Sequence, residues 1–403
     1  MSKLKENRWI RAAIPALLIH CSIGTVYCWS TFKENIALKI DMSPFSVGWA
    51  FSLAIFFLGM SAAFAGKFVE VDIHKSSLIA CVCFTVGMIG TGVTINFLTG
   101  VPALILIYLF YGVIMGIGLG VGYLTPVKTL MLWFSDSKGL ATGLSIMGFG
   151  LAKAIATPVM TLIQEKLNIS AMFYILGGVY FVMMLLGHFM LKKPEGWTEQ
   201  VGKTDFKASR MFKNKEFIGI WLMFFINIHC GLMIISYEKQ ILASLGMALT
   251  AFAVIPSVTA GFNAFGRIGY STVSDKMKQR NTVYKIIFIS CIAIVGISLK
   301  FYYTIPVIVL LCVVNAGYGG GFSTLPALLD ERFGMKNVSK IHGLTLSAWG
   351  IAGLTGNNLS EIILSHTNQN YRYVITVPII LYAVALAISF FIVGNKKTNK
   401  EEN

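Results

Sequence analysis

The chain of 403 residues is 56% hydrophobic and only 13% charged, with a mean hydropathy of +0.72. That much apolar surface exceeds what a soluble core of this length can bury, which excludes a soluble globular protein and makes lipid the expected solvent. A net charge of +15 would point to nucleic acid in a soluble chain. Its placement speaks instead for membrane topology: with a cytoplasmic N-terminus, 25 of the 33 Lys and Arg fall on the cytoplasmic side, 6 fall outside, and Lys153 and Arg267 lie within apolar runs.

Apolar runs long enough to cross a bilayer as helix, roughly 20 residues each, recur along the chain. They predict spans at 10–33, 46–66, 76–96, 103–127, 139–162, 170–192, 216–237, 250–274, 283–303, 305–329, 342–363 and 373–394. Blocks of alternating residues, the mark of a membrane β-barrel, are not seen. The first run has basic flanks but no small-residue cleavage site, so it reads as a span and not a removable signal. One long polar break, 193–215, divides the chain into an N-terminal bundle (1–192) and a C-terminal bundle (216–403) of six helices each.

The two halves repeat at a constant offset of 200 residues. Gly120 and Pro126 meet Gly320 and Pro326, Gly143-Leu144 meets Gly343-Leu344, Gly150 and Ala152 meet Gly350 and Ala352, and Phe149 answers Trp349. Two parallel six-helix repeats are the arrangement of major-facilitator carriers, with a site near the midplane where the halves meet. The expected fold is therefore an all-α membrane protein with twelve transmembrane helices in two pseudo-symmetric six-helix bundles. The pairs Gly116/Gly120 and Gly118/Gly122 put small residues on one helix face and are expected to allow close packing at the seam between the halves.

Catalytic and metal chemistry find no foothold. The seven cysteines lie in apolar stretches with no CxxC pair, which indicates neither a disulfide framework nor a zinc site. No HExxH, no GxSxG and no pair of carboxylates inside a span is present, so no enzyme activity, metal or cofactor is expected.

The chemistry that remains is electrostatic. None of the 18 Asp and Glu falls in the middle of a predicted span; Asp275, Asp330, Glu331 and Glu361 all lie at helix ends or in loops. A Lys or Arg at mid-membrane costs about 2.5–3.5 kcal/mol on insertion scales and normally faces a cavity with a partner. With no carboxylate at that depth, the expected partner of Arg267 and Lys153 is an anion that comes and goes. Arg267 lies roughly 12 Å inside its helix end, eight residues before Asp275. Its fork can bind both oxygens of a carboxylate, whereas Lys153 is a flexible point charge. The structural alternative, in which either cation snorkels or binds helix carbonyls, stays open. Tyr27, Trp29, Tyr123, Tyr318 and Trp349 are expected around the cavity, although packing accounts for any one of them. His20 and His229 read as hydrogen-bonded packing residues, and the lack of an intramembrane carboxylate favours exchange or facilitated flow over proton symport.

Three stretches carry a family resemblance. WFSDSKGLATGLSIMGFGLA (Trp133 to Ala152), GTVYCWSTF (Gly24 to Phe32) and FNAFGRIGYSTVSDK (Phe262 to Lys276) are similar to signatures of the oxalate/formate antiporter family. The resemblance implies a carrier in which a helix 8 arginine and a helix 11 lysine clamp a small carboxylate inside an aromatic cage. The arginine falls on Arg267, and the cage falls on Tyr27, Tyr123, Tyr318 and Phe322, with Phe149 added here as the partner of Trp349. At the place of the lysine stands Trp349, so the expected substrate is a small monocarboxylate such as formate, lactate or pyruvate. A dicarboxylate exchanger using Arg267 and Lys153, or a carboxylate sensor that carries nothing, is the alternative. The family's charged loop between helices 2 and 3 reads GKFVEVDIHK with Glu70 where Asp is usual, and the second copy keeps Asp275 and Arg280. These charges are expected to act in gating. A monomer in the plasma membrane with both termini in the cytoplasm, and no nucleic-acid partner, completes the expectation.

Overall fold

The computed structural model describes residues 7–195, 208–247, 251–334 and 338–394, without the side chains of 67, 70 and 251–253. Among the described residues, twelve long helices follow one another: α1 Trp9–Ile40, α2 Pro44–Val71, α3 Ile73–Phe97, α4 Gly100–Trp133, α5 Lys138–Lys166 and α6 Ile169–Met190, then α7 Lys215–Ile235, α8 Ala251–Lys276, α9 Asn281–Lys300, α10 Thr304–Phe333, α11 Val338–His366 and α12 Tyr371–Phe391. Their starts follow local chemistry. Ser43, Asp72, Asn168, Asn214 and Asn370 each turn a side-chain oxygen onto free backbone N–H groups of the first turn.

Ten of these helices are long and apolar enough to cross a membrane. The other two, α8 and α11, form the main contacts between the halves: α8 packs on α5 of the first half, and α11 on α2. Large apolar side chains cover the outside, Phe64 and Phe391 being 80% and 87% exposed, a surface that only lipid can solvate.

The repeat is visible in the helix limits. Helices α5 and α11 begin at Lys138 and Val338 and end at Lys166 and His366, 200 residues apart at both ends. The repeated glycines do the same job in both seams. A Cβ on Gly143 would lie 2.3 Å from Ser271 Oγ of α8, and one on Gly343 would lie 2.3 Å from the Ala62 carbonyl of α2, so each seam closes to backbone contact only because both positions lack a side chain. The α4 glycines depart from expectation. Gly116 and Gly120 face α2, while Gly118 and Gly122 face α3, so they pack the first bundle internally and not the seam between halves. The reason is geometric: α4 sits behind α2 and α3, and the seam is built by α2, α5, α8 and α11.

An aromatic cage around a buried arginine

Arg267 is 1% exposed on α8, at the centre of the molecule. One helical turn earlier, Asn263 accepts a bond from its Nε through Oδ1 at 2.8 Å, and the Ile146 carbonyl of α5 accepts from Nη1 at 3.3 Å. The guanidinium carbon stands 5.7 Å from the Phe149 ring and 5.3 Å from the Phe322 ring, within cation–π range. Rings then link one to the next. Phe322 meets Trp349 edge-on at 4.4 Å, Trp349 meets Phe149 at 5.7 Å and Tyr123 at 5.5 Å, and Tyr27 meets Phe149 at 5.4 Å. The repeat partners Phe149 and Trp349 thus meet edge to face across the halves.

Polar tips inside this cage lack partners. Arg267 Nη2, the Tyr123 hydroxyl, Trp349 Nε1 and His342 Nε2 are buried without a hydrogen bond of normal geometry, Arg267 and Trp349 being only in looser contact with the Tyr27 hydroxyl, and His342 lies 5.9 Å from Tyr123. Leaving one such group unpaired costs about 1–3 kcal/mol, so a cluster of them marks a place built for a polar guest. An ionised carboxylate, which offers about four acceptor sites, answers such donors.

Above the cage the Tyr27 and Tyr318 hydroxyls share a hydrogen bond of 2.7 Å between α1 and α10. Tyr27 rides on a tightened 3-10 stretch, Gly24–Cys28, that interrupts α1 at this depth. The two tyrosines and Asn263 line a cleft of about 100 Å³ that also holds Lys153. Through Ser30, Lys33, Lys153, Ile235 and Ser236 it merges with a wider opening of about 620 Å³. This opening lies at the C-terminal ends of α5 and α7, beside Thr161, Glu165 and Ile235.

The opposite end is shut. Asp275 accepts bonds from the backbone N–H groups of Gly139 and Leu140, both at 2.9 Å, at the start of α5, where a helix end favours negative charge. Arg280 pairs with Asp275 at 2.6 Å, and Lys138 reaches Asp330 across the halves at 2.6 Å. Asp275 and Arg280 are therefore in contact with each other and with the seam. The side chain of Glu70 lies outside the described residues.

Of the expected site residues, Arg267, Tyr27, Tyr123, Phe149, Tyr318, Phe322 and Trp349 come together, and Lys153 does not join them. It lies on the cleft side of the tyrosine pair, 4.0 Å from Glu238 Oε2. The expectation that neither buried cation has a carboxylate within reach is thus wrong for Lys153. After α7 ends at Ile235 the chain turns back as a short helix, Glu238–Ser244, and carries Glu238 inward until it is 3% exposed. Trp29 lines the cleft beside Tyr27, outside the ring cage, and packs at a tilt against Tyr111, 4.4 Å between ring centroids. His20 bonds the carbonyls of Ser145 and Tyr123, and His229 bonds Thr355, as the packing reading expects. Asn263 and His342 were missed; the four-residue spacing of Asn263 from Arg267 was the available signal for the first.

Comparison with known proteins places this geometry. The sequence profile of the Major Facilitator Superfamily matches residues 16–357. The oxalate:formate antiporter of Oxalobacter formigenes is 25% identical over 95% of this chain and 91% of its own. The uncharacterized MFS-type transporter YhjX of Escherichia coli is 24% identical over 88% and 87%, and human monocarboxylate transporter 12 is 21% identical over 72% and 67%. Among solved structures, the proton:xylose symporter XylE bound to 6-bromo-6-deoxy-D-glucose superposes with a TM-score of 0.74 at 13% identity, covering 94% of this chain and 95% of that one.

Proposed function

Because this chain belongs to the Major Facilitator Superfamily of transporters, we propose that it is a secondary carrier that moves a small monocarboxylate by alternating access, with Arg267 as the carboxylate-binding cation. One observation carries the reading: the unpaired Nη2 of Arg267 shares its aromatic cage with the unpaired donors of Tyr123 and Trp349. The kinship with an oxalate:formate antiporter and a monocarboxylate transporter supports the substrate class. A single net charge with rings around it suits formate, lactate or pyruvate. The dicarboxylate reading is weaker, because Lys153 already faces Glu238.

In this mechanism the anion enters through the open cleft, passes the Tyr27–Tyr318 pair and binds Arg267. The bundles 1–192 and 216–403 then rock about the seam. The contacts of Asp275 with α5, and the pairs with Arg280 and between Lys138 and Asp330, form the gate that breaks when the other end opens; Glu70 is assigned the matching role in the first half. The Lys and Arg distribution supports a cytoplasmic linker and cytoplasmic termini in the cell membrane. Each chain carries a complete cage, which favours a working monomer.

Arg267→Gln tests this directly. Truncating one partner of a buried charge pair costs about 2–5 kcal/mol, so counterflow of lactate, pyruvate and formate in proteoliposomes should fall by about 30-fold or more while membrane insertion is kept. Undiminished transport by that variant would remove the proposal. Saturable counterflow in the wild type would also separate a carrier from a channel or a silent sensor.

A further inference from the structure

On the outer side of α8 the packing leaves a groove of about 390 Å³ that the scheme above does not use. Phe265, Gly266, Gly269 and Tyr270 of α8, Ile286 of α9 and Ala316 of α10 line it. Gly266 forms the floor, where a Cβ would lie 2.2 Å from the Ala316 carbonyl. Gly269 forms the open side, where a Cβ would meet no atom within 4 Å. Counted from Glu70 as the counterpart of Asp275, the matching residue of α2 is Phe64, so the second copy has glycine where the first has a large exposed ring. The outward stripe of α8 runs from Phe265 through Gly269 and Val273 and ends at Lys276, at spacings that keep one helix face. Lys278 follows in the turn before α9. Both lysines are exposed, and among the described residues neither has an ion-pair partner. The adjacent acid, Asp275, is turned to the seam and held by Gly139, Leu140 and Arg280.

We propose that this groove is a binding site for an anionic glycerophospholipid of the leaflet on the linker side, with an acyl chain over Gly266 and Gly269 and the phosphate between Lys276 and Lys278. The trough and the lysines together match the two ends of such a lipid. A chain lying in a shaped apolar space makes contacts that it does not make on a convex helix surface. The headgroup then stands at the membrane surface, where each lysine attracts negative charge. A neutral lipid would fill the trough and leave both cations unanswered, and a free anion would do the reverse. Arg267 follows Gly266 directly and Asp275 precedes Lys276, so a lipid seated here braces the helix that carries both the cage cation and the gate.

The test is native mass spectrometry of the full-length chain in mild detergent, with dioleoyl phosphatidylglycerol and dioleoyl phosphatidylcholine as probes at equal concentration. The wild type should retain one phosphatidylglycerol in preference to phosphatidylcholine by about tenfold or more, each lysine contributing roughly fivefold. The double variant Lys276→Gln, Lys278→Gln should bring the two lipids to equal retention. Gly269→Trp, whose ring occupies the open space, should lower retention of both by about tenfold. Gly269→Ala adds one methyl group to the same space and should hold phosphatidylglycerol as the wild type does. Equal retention of the two lipids by the wild type would mean annular lipid only and would overturn the proposal. An undiminished preference in the double lysine variant, or undiminished retention by Gly269→Trp, would overturn it as well. The lysine variant alters exposed side chains alone and decides the matter if the tryptophan protein is not recovered. The readout is bound lipid and not flux, so a cage that takes no carboxylate would leave this result standing.

Discussion

Arg267 is held by its own helix and by the partner half at once, through Asn263 and the Ile146 carbonyl, and still has N–H groups left over. That arrangement orients the fork without exhausting it, as the proposed binding role requires. Trp349 decides the other end of the cage. A lysine there would supply a second charge beside Phe149, Tyr123 and Phe322, so Trp349→Lys should raise oxalate counterflow relative to formate by at least about tenfold, given coupling energies of about 1.5 kcal/mol or more for close charge pairs. An unchanged ratio would mean that position 349 does not face the substrate. Arg267 was legible in the sequence because a cation inside an apolar run is conspicuous, and the rings because they sit in motifs. Glu238 was not, since a carboxylate just past a span reads as an interfacial residue; its burial comes from a turn of chain whose direction only tertiary packing sets.

Individual helices explain why one end is closed. At the start of α5, Asp275 neutralises two free N–H groups and holds Arg280. Asp275→Asn removes the charge from that cap, a loss of about 1.5–3 kcal/mol for a bond to an ionised group. The expected result is a population shift toward opening at the linker end. It is read as a rise of about 10-fold or more in maleimide labelling of a cysteine placed at Thr142, which now bonds the Ser323 carbonyl across the seam at 2.7 Å. Labelling at the wild-type rate would show that the cap is not part of the gate. The limits of the helices were largely legible, because caps and polar breaks are local signals. Helix partners were not. The glycines of α4 have the right spacing for a seam, but spacing alone does not say which neighbour a face will meet.

At the scale of the whole molecule, twelve apolar runs and a fixed offset were enough to indicate two matched bundles, whereas which end stands open depends on a balance of contacts that no local pattern records. If the bundles rock, spin labels at Glu34 and Gln240 on the rim of the cleft should approach each other when lactate is added, and labels at Asp136 and Lys278 should separate. Both distances should stay fixed in Arg267→Gln, and motion there would uncouple the anion from the rocking. The glycine seams carry one more consequence. Gly143 abuts the Arg267 carbonyl where its counterpart Gly343 abuts that of Ala62, so the duplicated scaffold sets a guanidinium on one side of the axis and a methyl group on the other. On the proposed carboxylate reading, a ligand that is the same at both ends finds only one socket, and the guest lies polarised across the dyad with its acid head toward Arg267.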